Sequence, residues 1–340
     1  MSRTVKDTDT GMPPAYMRLR AQLRPHLYHA ILLLWVFGVF VIGVAYSSWK
    51  GASLYNMQLS DVRQLDHVAA MHIEDAVLPS MSSFADRRNW ANAVLVKRAW
   101  LWNTLCVLLI ALTLKRTAGG LRGDRLRHTV PLSFSSAHVL LGSKMFLRWA
   151  VATAGWGTAF TQWCFGPSIF ERIIVASGAE CLVNSIGVDP ALCYARTRLT
   201  THSYPELFKQ LPDTLHDYRL TARWHGGHDM SGHTFILMLG ILLLVEMLVP
   251  YLPYALPSFS LLRQAIPTPL YAERDIFRTG PRKERTINVV AFWASLLLVG
   301  VWTAMLFATA VYFHRPYEKV SGLYAALFVW LLMPKECVLR

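Results

Sequence analysis

Six apolar runs constrain this chain more than any other feature of its sequence. Each run is close to the roughly 20 residues that an α-helix needs to cross the hydrocarbon core of a bilayer. The runs lie at about residues 30–48, 95–114, 145–165, 233–249, 289–313 and 317–333. With 54% hydrophobic residues, the chain is therefore predicted to be an all-α polytopic membrane protein, in which residues 28–334 form a single domain of six transmembrane helices.

The charged residues predict which way the helices run. The net charge of +13 is concentrated in segments between the apolar runs, above all in residues 115–144 and 250–287. Because cytosolic loops are enriched in Lys and Arg, these two segments are predicted to be cytosolic. Both termini then face the cytosol, as a disordered basic tail (1–27) and a short tail (335–340), and the mixed-charge loop 168–230 lies on the opposite, lumenal side. This distribution also argues against nucleic-acid binding, because basic residues that lie between the apolar runs are explained by membrane topology.

Two histidines are the first candidates for catalysis. Ser231 and Gly232 leave room for an anionic group, and His233 follows them on the first turn of the fourth apolar run. Unpaired N–H groups and the helix dipole favour negative charge at such a helix start. His314 closes the fifth run. With six spans and a cytosolic N-terminus, both histidines are predicted at the lumenal face, in one active site.

Charged residues near the two histidines leave alternatives open. Glu318 follows His314 by four residues, so it either orients the imidazole or is a first-turn partner of the helix dipole. Lys97 and Arg98 begin the second run, and Arg223 precedes the fourth, so topology places all three at the same face. They are candidate phosphate contacts, although Lys97 and Arg98 could instead extend to the membrane interface.

Two further features have more than one interpretation. Glu246 lies near the cytosolic end of the fourth run, where it either has a functional role or reaches nearby lipid headgroups. Cys181 and Cys193 are close enough in the polar loop to form a disulfide in an oxidising compartment, but their spacing alone does not establish one.

A metal site near the start of the fourth run is the less favoured interpretation. His225, His228, Asp229 and His233 include common ligand types, but their spacing matches no standard metal site. No metal or other cofactor is predicted. Asp229 is instead interpreted as a residue that shapes the turn before the helix.

Several blocks of the sequence together resemble the fat storage-inducing transmembrane (FIT) family of endoplasmic reticulum proteins, including its fungal members. The resemblance extends loosely over residues 84–333. The similar blocks are Gly227 to Phe235, Tyr312 to His314 with Glu318, Lys319 and Gly322, the stretch from Asn92 to Trp102, and the acidic Glu246.

This resemblance implies a fold, an activity and a location. It implies six spans with a helical core like that of the lipid phosphate phosphatases. It implies an acyl-CoA diphosphatase that hydrolyses the pyrophosphate of fatty acyl-CoA, with a role in lipid droplet formation and endoplasmic reticulum lipid balance. The active site would face the lumen, and the membrane partners would include diacylglycerol and triacylglycerol. The alternative is a non-enzymatic protein that binds neutral lipid and organises droplets.

The expected mechanism gives each candidate residue a role. His314 attacks phosphorus, Glu318 orients it, and His233 protonates the leaving oxygen. The phosphates are held by basic side chains and by the start of the fourth helix. The predicted phosphate-binding residues are Ser231, Gly232, Lys97, Arg98 and Arg223. The chain departs from the lipid phosphate phosphatases in having no Ser-Arg pair upstream of His314 and no Arg-Pro after Lys97.

Overall fold

The structure, a computed structural model, describes most of the apolar runs and part of the segments between them. The described residues are 27–51, 90–120, 133–160, 166–184, 186–196, 198–211, 220–249, 251–256 and 282–335. The predicted tails 1–27 and 335–340 lie almost entirely outside this part of the chain, as do residues 161–165 of the third run.

Helices dominate the described residues. In chain order they are α1 (Leu27–Lys50), α2 (Ala99–Gly120), α3 (Ser133–Phe160), α4 (Ile169–Ala176), α5 (Pro190–Ala195), α6 (Pro205–Phe208), α7 (Gly232–Leu248), α8 (Leu252–Ala255), α9 (Arg282–Tyr312) and α10 (Pro316–Leu332). A short π-helix (Ala91–Val96) precedes α2. Each predicted apolar run overlaps one of the long helices α1, α2, α3, α7, α9 and α10.

Two of the described helices can cross a membrane by length and composition. They are α1 and the Arg285–Tyr312 part of α9, and Ala99–Ala111 and Gly232–Leu248 are shorter apolar helices. The exposed side chains of α1 include Leu34, Trp35 and Ile42, as expected of a helix that faces lipid. The architecture is that of a helical membrane protein, while six crossings and the cytosolic position of both termini stay predictions.

Helix α7 is the centre of the bundle. It is apolar on all sides, and a helix of this kind must be surrounded by other elements. It packs against α2, α3, α9 and α10. Its first residues therefore lie where several helices end, which places the Ser231–His233 segment among groups from distant parts of the chain.

Residues 166–225, here called the cap, contain the structure's β-strands. Strands β1 (Glu180–Val183), β2 (Ile186–Gly187) and β5 (Arg223–His225) form an antiparallel sheet in the order β2-β1-β5, and β3 (Arg198–Leu199) pairs with β4 (Leu220–Thr221). A disulfide between Cys181 and Cys193 joins β1 to α5. The all-α prediction is therefore wrong for this segment: the polar loop has its own small apolar core, which helical periodicity in the spans could not reveal.

Glu246 lies inside the bundle, near the end of α7. Its side chain is fully buried, so the interpretation that it reaches lipid headgroups is wrong. Its carboxylate accepts hydrogen bonds from the Tyr28 hydroxyl and the Trp330 indole, both at 3.0 Å, and lies 3.0 Å from His29 Nε2. Lys335 Nζ is 3.6 Å away. The carboxylate therefore ties α1 and α10 to α7 through buried hydrogen bonds.

Candidate active site

The start of α7 is held to α10 by Ser231. This residue is fully buried, and its hydroxyl caps α7 by accepting from the backbone N–H and the hydroxyl of Thr234, at 3.4 and 3.0 Å. Its own N–H donates to the Glu318 carbonyl at 3.0 Å. In this structure Ser231 thus positions the helix, and the substrate contact expected of it stays a prediction.

His233, on the first turn of α7, contacts the π-helix and the end of α9. Its Nε2 lies 3.0 Å from the amide oxygen of Asn92. Because this oxygen can only accept, Nε2 carries the proton in this contact. The ring also stacks on Phe313, with centroids 6.1 Å apart and planes 6° from parallel. The bond to Asn92 and the stacking on Phe313 together set the orientation of the His233 imidazole.

His314 occupies a tight turn between α9 and α10. Its φ of 56° lies in the left-handed region, which few residues other than glycine adopt and which is common at functional sites. Its Nδ1 is 3.4 Å from the Glu318 carboxylate and 3.8 Å from that of Asp229. Two carboxylates beside Nδ1 favour the tautomer with the proton on that nitrogen. Nε2 is then the nitrogen with a lone pair for attack.

Glu318 satisfies both interpretations that the sequence left open. Its carboxylate accepts a hydrogen bond from the Arg315 N–H at 3.0 Å, which caps α10, and the same oxygen faces His314. The cap and the imidazole contact are therefore compatible. Asp229, interpreted from sequence as shaping the turn before α7, has a carboxylate oxygen 3.8 Å from His314 Nδ1, while Ser231 provides the helix cap.

A cavity of about 520 Å³ lies between the loop before α7, the His314 turn and the cap. Its lining includes Gly232, Asp229, His314 and Arg223. Gly232 and His314 thus line one cavity, whereas His233 is not among its lining residues. A shared active site for the two histidines therefore stays a prediction. Arg223 lies where a phosphate could reach it.

The other predicted phosphate contacts lie elsewhere. Lys97 and Arg98 are exposed on the turn between the π-helix and α2, and neither lines this cavity. Their contact with phosphate stays a prediction. Sequence reasoning also gave no role to Asn92, the partner of His233, although a polar residue just ahead of an apolar run was a usable signal.

The structure separates the side chains of the suggested metal site. His228 Nε2 lies 2.8 Å from the Ser321 hydroxyl, and its ring stacks on Tyr317. The Ser321 hydroxyl donates to the Glu318 carbonyl, so its oxygen accepts from His228. His228 therefore fixes the loop before α7 to α10. No group of three His, Cys, Asp or Glu among the described residues is placed to hold a metal ion.

Gly322→Ala should impair the site by separating two helices. A methyl group at Gly322 would lie 2.5 Å from the Ser231 carbonyl oxygen, so α10 must move away from α7. We expect a loss of about 1–3 kcal/mol in stability, and a fall of up to about 100-fold in turnover because His314 and His233 are displaced. Thermal unfolding and turnover of the purified protein measure the two effects.

Gly300→Ala is the matched control for this substitution. Nothing lies within 4 Å of a methyl group at Gly300, which is also helical. It should leave turnover unchanged and stability equal or slightly higher. Equal behaviour of the two variants would contradict the close contact between α7 and α10.

Comparison with known proteins identifies the family of this chain. A model of the fat storage-inducing transmembrane protein family, FIT, matches residues 80–333. The chain belongs to the FIT family. The matched region contains both histidines of the site, together with Asn92, Asp229 and Glu318. The family resemblance found in the sequence is thereby confirmed.

Several FIT proteins are similar to this chain. Acyl-coenzyme A diphosphatase fit1 of Schizosaccharomyces pombe is 25% identical over 252 residues, which is 74% of this chain and 72% of the relative. Acyl-coenzyme A diphosphatase FITM2 of Homo sapiens is 27% identical over 251 residues, which is 73% of this chain and 70% of the relative. Fat storage-inducing transmembrane protein 1 of Homo sapiens is 28% identical over 129 residues, 37% of this chain and 35% of the relative. No solved structure matches the chain.

Proposed function

We propose that this protein is a membrane acyl-CoA diphosphatase. It cleaves the pyrophosphate of fatty acyl-CoA to give acyl 4′-phosphopantetheine and adenosine 3′,5′-bisphosphate. The observation that carries the proposal is the pair of carboxylates at His314 Nδ1, beside a cavity that also reaches Gly232 at the start of α7. The names of the similar proteins from Schizosaccharomyces pombe and Homo sapiens, both acyl-coenzyme A diphosphatases, support it.

The chemistry proceeds in two steps. His314 Nε2 attacks one phosphorus of the pyrophosphate, and the bridging oxygen leaves with the other phosphate, protonated by His233. Water then attacks the phosphohistidine, with His233 accepting its proton, so one water is consumed in each cycle. Glu318 and Asp229 stabilise the positive charge that forms on His314.

The negative charge on the phosphates needs compensation throughout both steps. Arg223 lines the cavity, and the N–H groups at the start of α7 offer an anion site at the end of the helix dipole. Lys97 and Arg98, exposed on the turn after the π-helix, are the further candidates that the sequence offers.

We also propose the location and the cellular role that the sequence implied. Six spans place the active site on the lumenal side of the endoplasmic reticulum membrane, with both termini in the cytosol. The disulfide between Cys181 and Cys193 supports this side for the cap, because such bonds persist in oxidising compartments. The acyl chain stays in the bilayer, and the activity serves lipid droplet formation alongside diacylglycerol and triacylglycerol.

Incubation of the purified protein with oleoyl-CoA tests the activity. We expect release of adenosine 3′,5′-bisphosphate, measured by chromatography, and a fall of about 10²–10⁴-fold in His233→Ala, the usual contribution of a general acid. The control is His202→Ala, an exposed residue of the cap outside the cavity lining, which should retain full activity. Binding of triacylglycerol without any product release would instead favour the non-enzymatic alternative.

A further inference from the structure

The cavity beside His314 continues into the cap. There its lining includes Glu171 of α4, Arg196 after α5, and Trp224 of β5. Glu171 and Trp224 each have a buried polar atom without a hydrogen-bond partner in the described part of the chain. The mechanism above uses neither of these residues.

Glu171 presents an unused acceptor. The residue is 5% exposed, and its backbone N–H is bonded to the capping Ser168. Its Oε1 is 3.6 Å from the Arg196 guanidinium, while Oε2 is buried and has no partner among the described residues. A buried carboxylate oxygen without a donor is costly, so such an atom points to a ligand group that donates to it.

Trp224 presents an unused donor. Its indole Nε1 is buried and has no acceptor within the residues that the structure describes. Strand pairing places Trp224 opposite Cys181, whose disulfide to Cys193 holds α5 against the same sheet. The indole also makes an edge contact with Tyr194, at 5.0 Å between ring centroids. The donor is thus carried by a cross-linked part of the cap.

Glu171 and Trp224 thus bring one acceptor and one donor, each unsatisfied within the described residues, to the wall of a single cavity. This combination matches the edge of an adenine. Adenine offers an exocyclic amine as donor beside a ring nitrogen as acceptor. A cavity of about 520 Å³ is of the size that small-molecule sites have. Arg196 and Arg223 line the same cavity, and guanidinium groups suit phosphate oxygens.

We propose that the cap binds the adenine of the substrate, with Glu171 accepting from its exocyclic amine and Trp224 Nε1 donating to a ring nitrogen. This inference rests on the proposed function, because acyl-CoA carries an adenosine 3′,5′-bisphosphate on the far side of the pyrophosphate from the acyl chain. With the pyrophosphate at His314, the base lies one ribose further along the cavity. The cap therefore selects the nucleotide, and the bundle holds the lipid.

Direct binding to the full-length protein in lipid nanodiscs tests the base contact. Two probes are used, adenosine 3′,5′-bisphosphate and the same bisphosphate of unsubstituted purine riboside, which lacks the exocyclic amine. We expect the protein to bind the adenosine compound about tenfold to a hundredfold more tightly by calorimetry, as for a hydrogen bond to a charged group. In Glu171→Leu this ratio should fall close to one.

The ratio within each variant is independent of how much of the protein is folded. Glu206→Leu is the control, since Glu206 is an exposed cap residue paired with Lys209 outside the cavity lining, and it should keep the wild-type ratio. A wild-type ratio near one, or an unchanged ratio in Glu171→Leu, would overturn the proposal. Binding of both probes that EDTA weakens equally would indicate a cation at Glu171 and would also overturn it.

Hydrolysis of oleoyl-CoA, measured on the same preparations, separates the two proposals. If the protein hydrolyses oleoyl-CoA but binds both probes equally, the adenine subsite is contradicted and the diphosphatase activity is supported. If the protein prefers the adenosine probe through Glu171 but does not hydrolyse oleoyl-CoA, the subsite is supported and the proposed activity is contradicted.

Discussion

His314→Asn should abolish release of adenosine 3′,5′-bisphosphate from oleoyl-CoA, with a fall of at least about 10³-fold in turnover. Asparagine tolerates the left-handed backbone that His314 adopts at φ 56°, so this change removes the nucleophile without adding backbone strain. An alanine at the same position would combine both effects. The measurement is product release per molecule of correctly folded protein, with the folded amount taken from size-exclusion chromatography.

His225→Ala is the matched control for the loss of an imidazole. His225 is exposed on β5 and does not line the cavity, so its loss should leave turnover unchanged. Full turnover by His314→Asn would show that His314 is not the nucleophile. A phosphorylated intermediate that is trapped by acid quench in the wild type and absent from His314→Asn would support it directly.

Glu246→Leu should lower the stability of the protein by about 3–5 kcal/mol, because it removes a hydrogen-bond or charge partner from several buried groups at once. The affected groups are the Tyr28 hydroxyl, the His29 imidazole and the Trp330 indole. Burial lowers the pKa of Lys335 to about 8, and the nearby Glu246 carboxylate acts to raise it. Loss of that carboxylate also removes an interaction that stabilises the charged form of the buried Lys335. Chemical denaturation in detergent measures the change.

Glu246→Gln separates the hydrogen bonds from the charge. The amide keeps one oxygen that can accept from Tyr28 or Trp330, so the loss of stability should be smaller than in Glu246→Leu. Glu246 lies 13 residues after His233 on α7, or about 20 Å at the rise of an α-helix. Turnover per folded molecule should therefore be nearly normal in both variants. Unchanged stability of Glu246→Leu would contradict a structural role for this cluster.

The sequence predicts the positions of the long helices well and their ends less well. Apolar content over about 20 residues identifies each helix, because burial and lipid contact both demand it. The third helix nevertheless begins at Ser133, well before the predicted residue 145, and α2 begins at Ala99 because the preceding residues form a π-helix. Helix ends depend on local hydrogen bonds, which hydropathy does not register.

For the site, the blocks around His233 and His314, together with the other similar blocks, were sufficient to identify the family and to select both histidines as candidates. Local patterns can be recognised from the sequence alone. Here they are the start of an apolar helix, a histidine at a helix end and an acidic residue four positions later. The polar loop between the third and fourth runs gave no such pattern, and its sheet was therefore not predicted.

Only the tertiary structure supplied the partners of these residues. Asn92 bonds to His233 across 141 positions, and His29 meets Glu246 across 217. Asp229 faces His314, and the cap brings Glu171 and Trp224 to the same cavity. Periodicity assigns a residue to a face of its own helix, whereas a hydrogen-bond partner depends on how distant helices pack. The sequence by itself thus determined the long apolar helices, the family and the two candidate histidines, and three-dimensional packing decided what surrounds each of them.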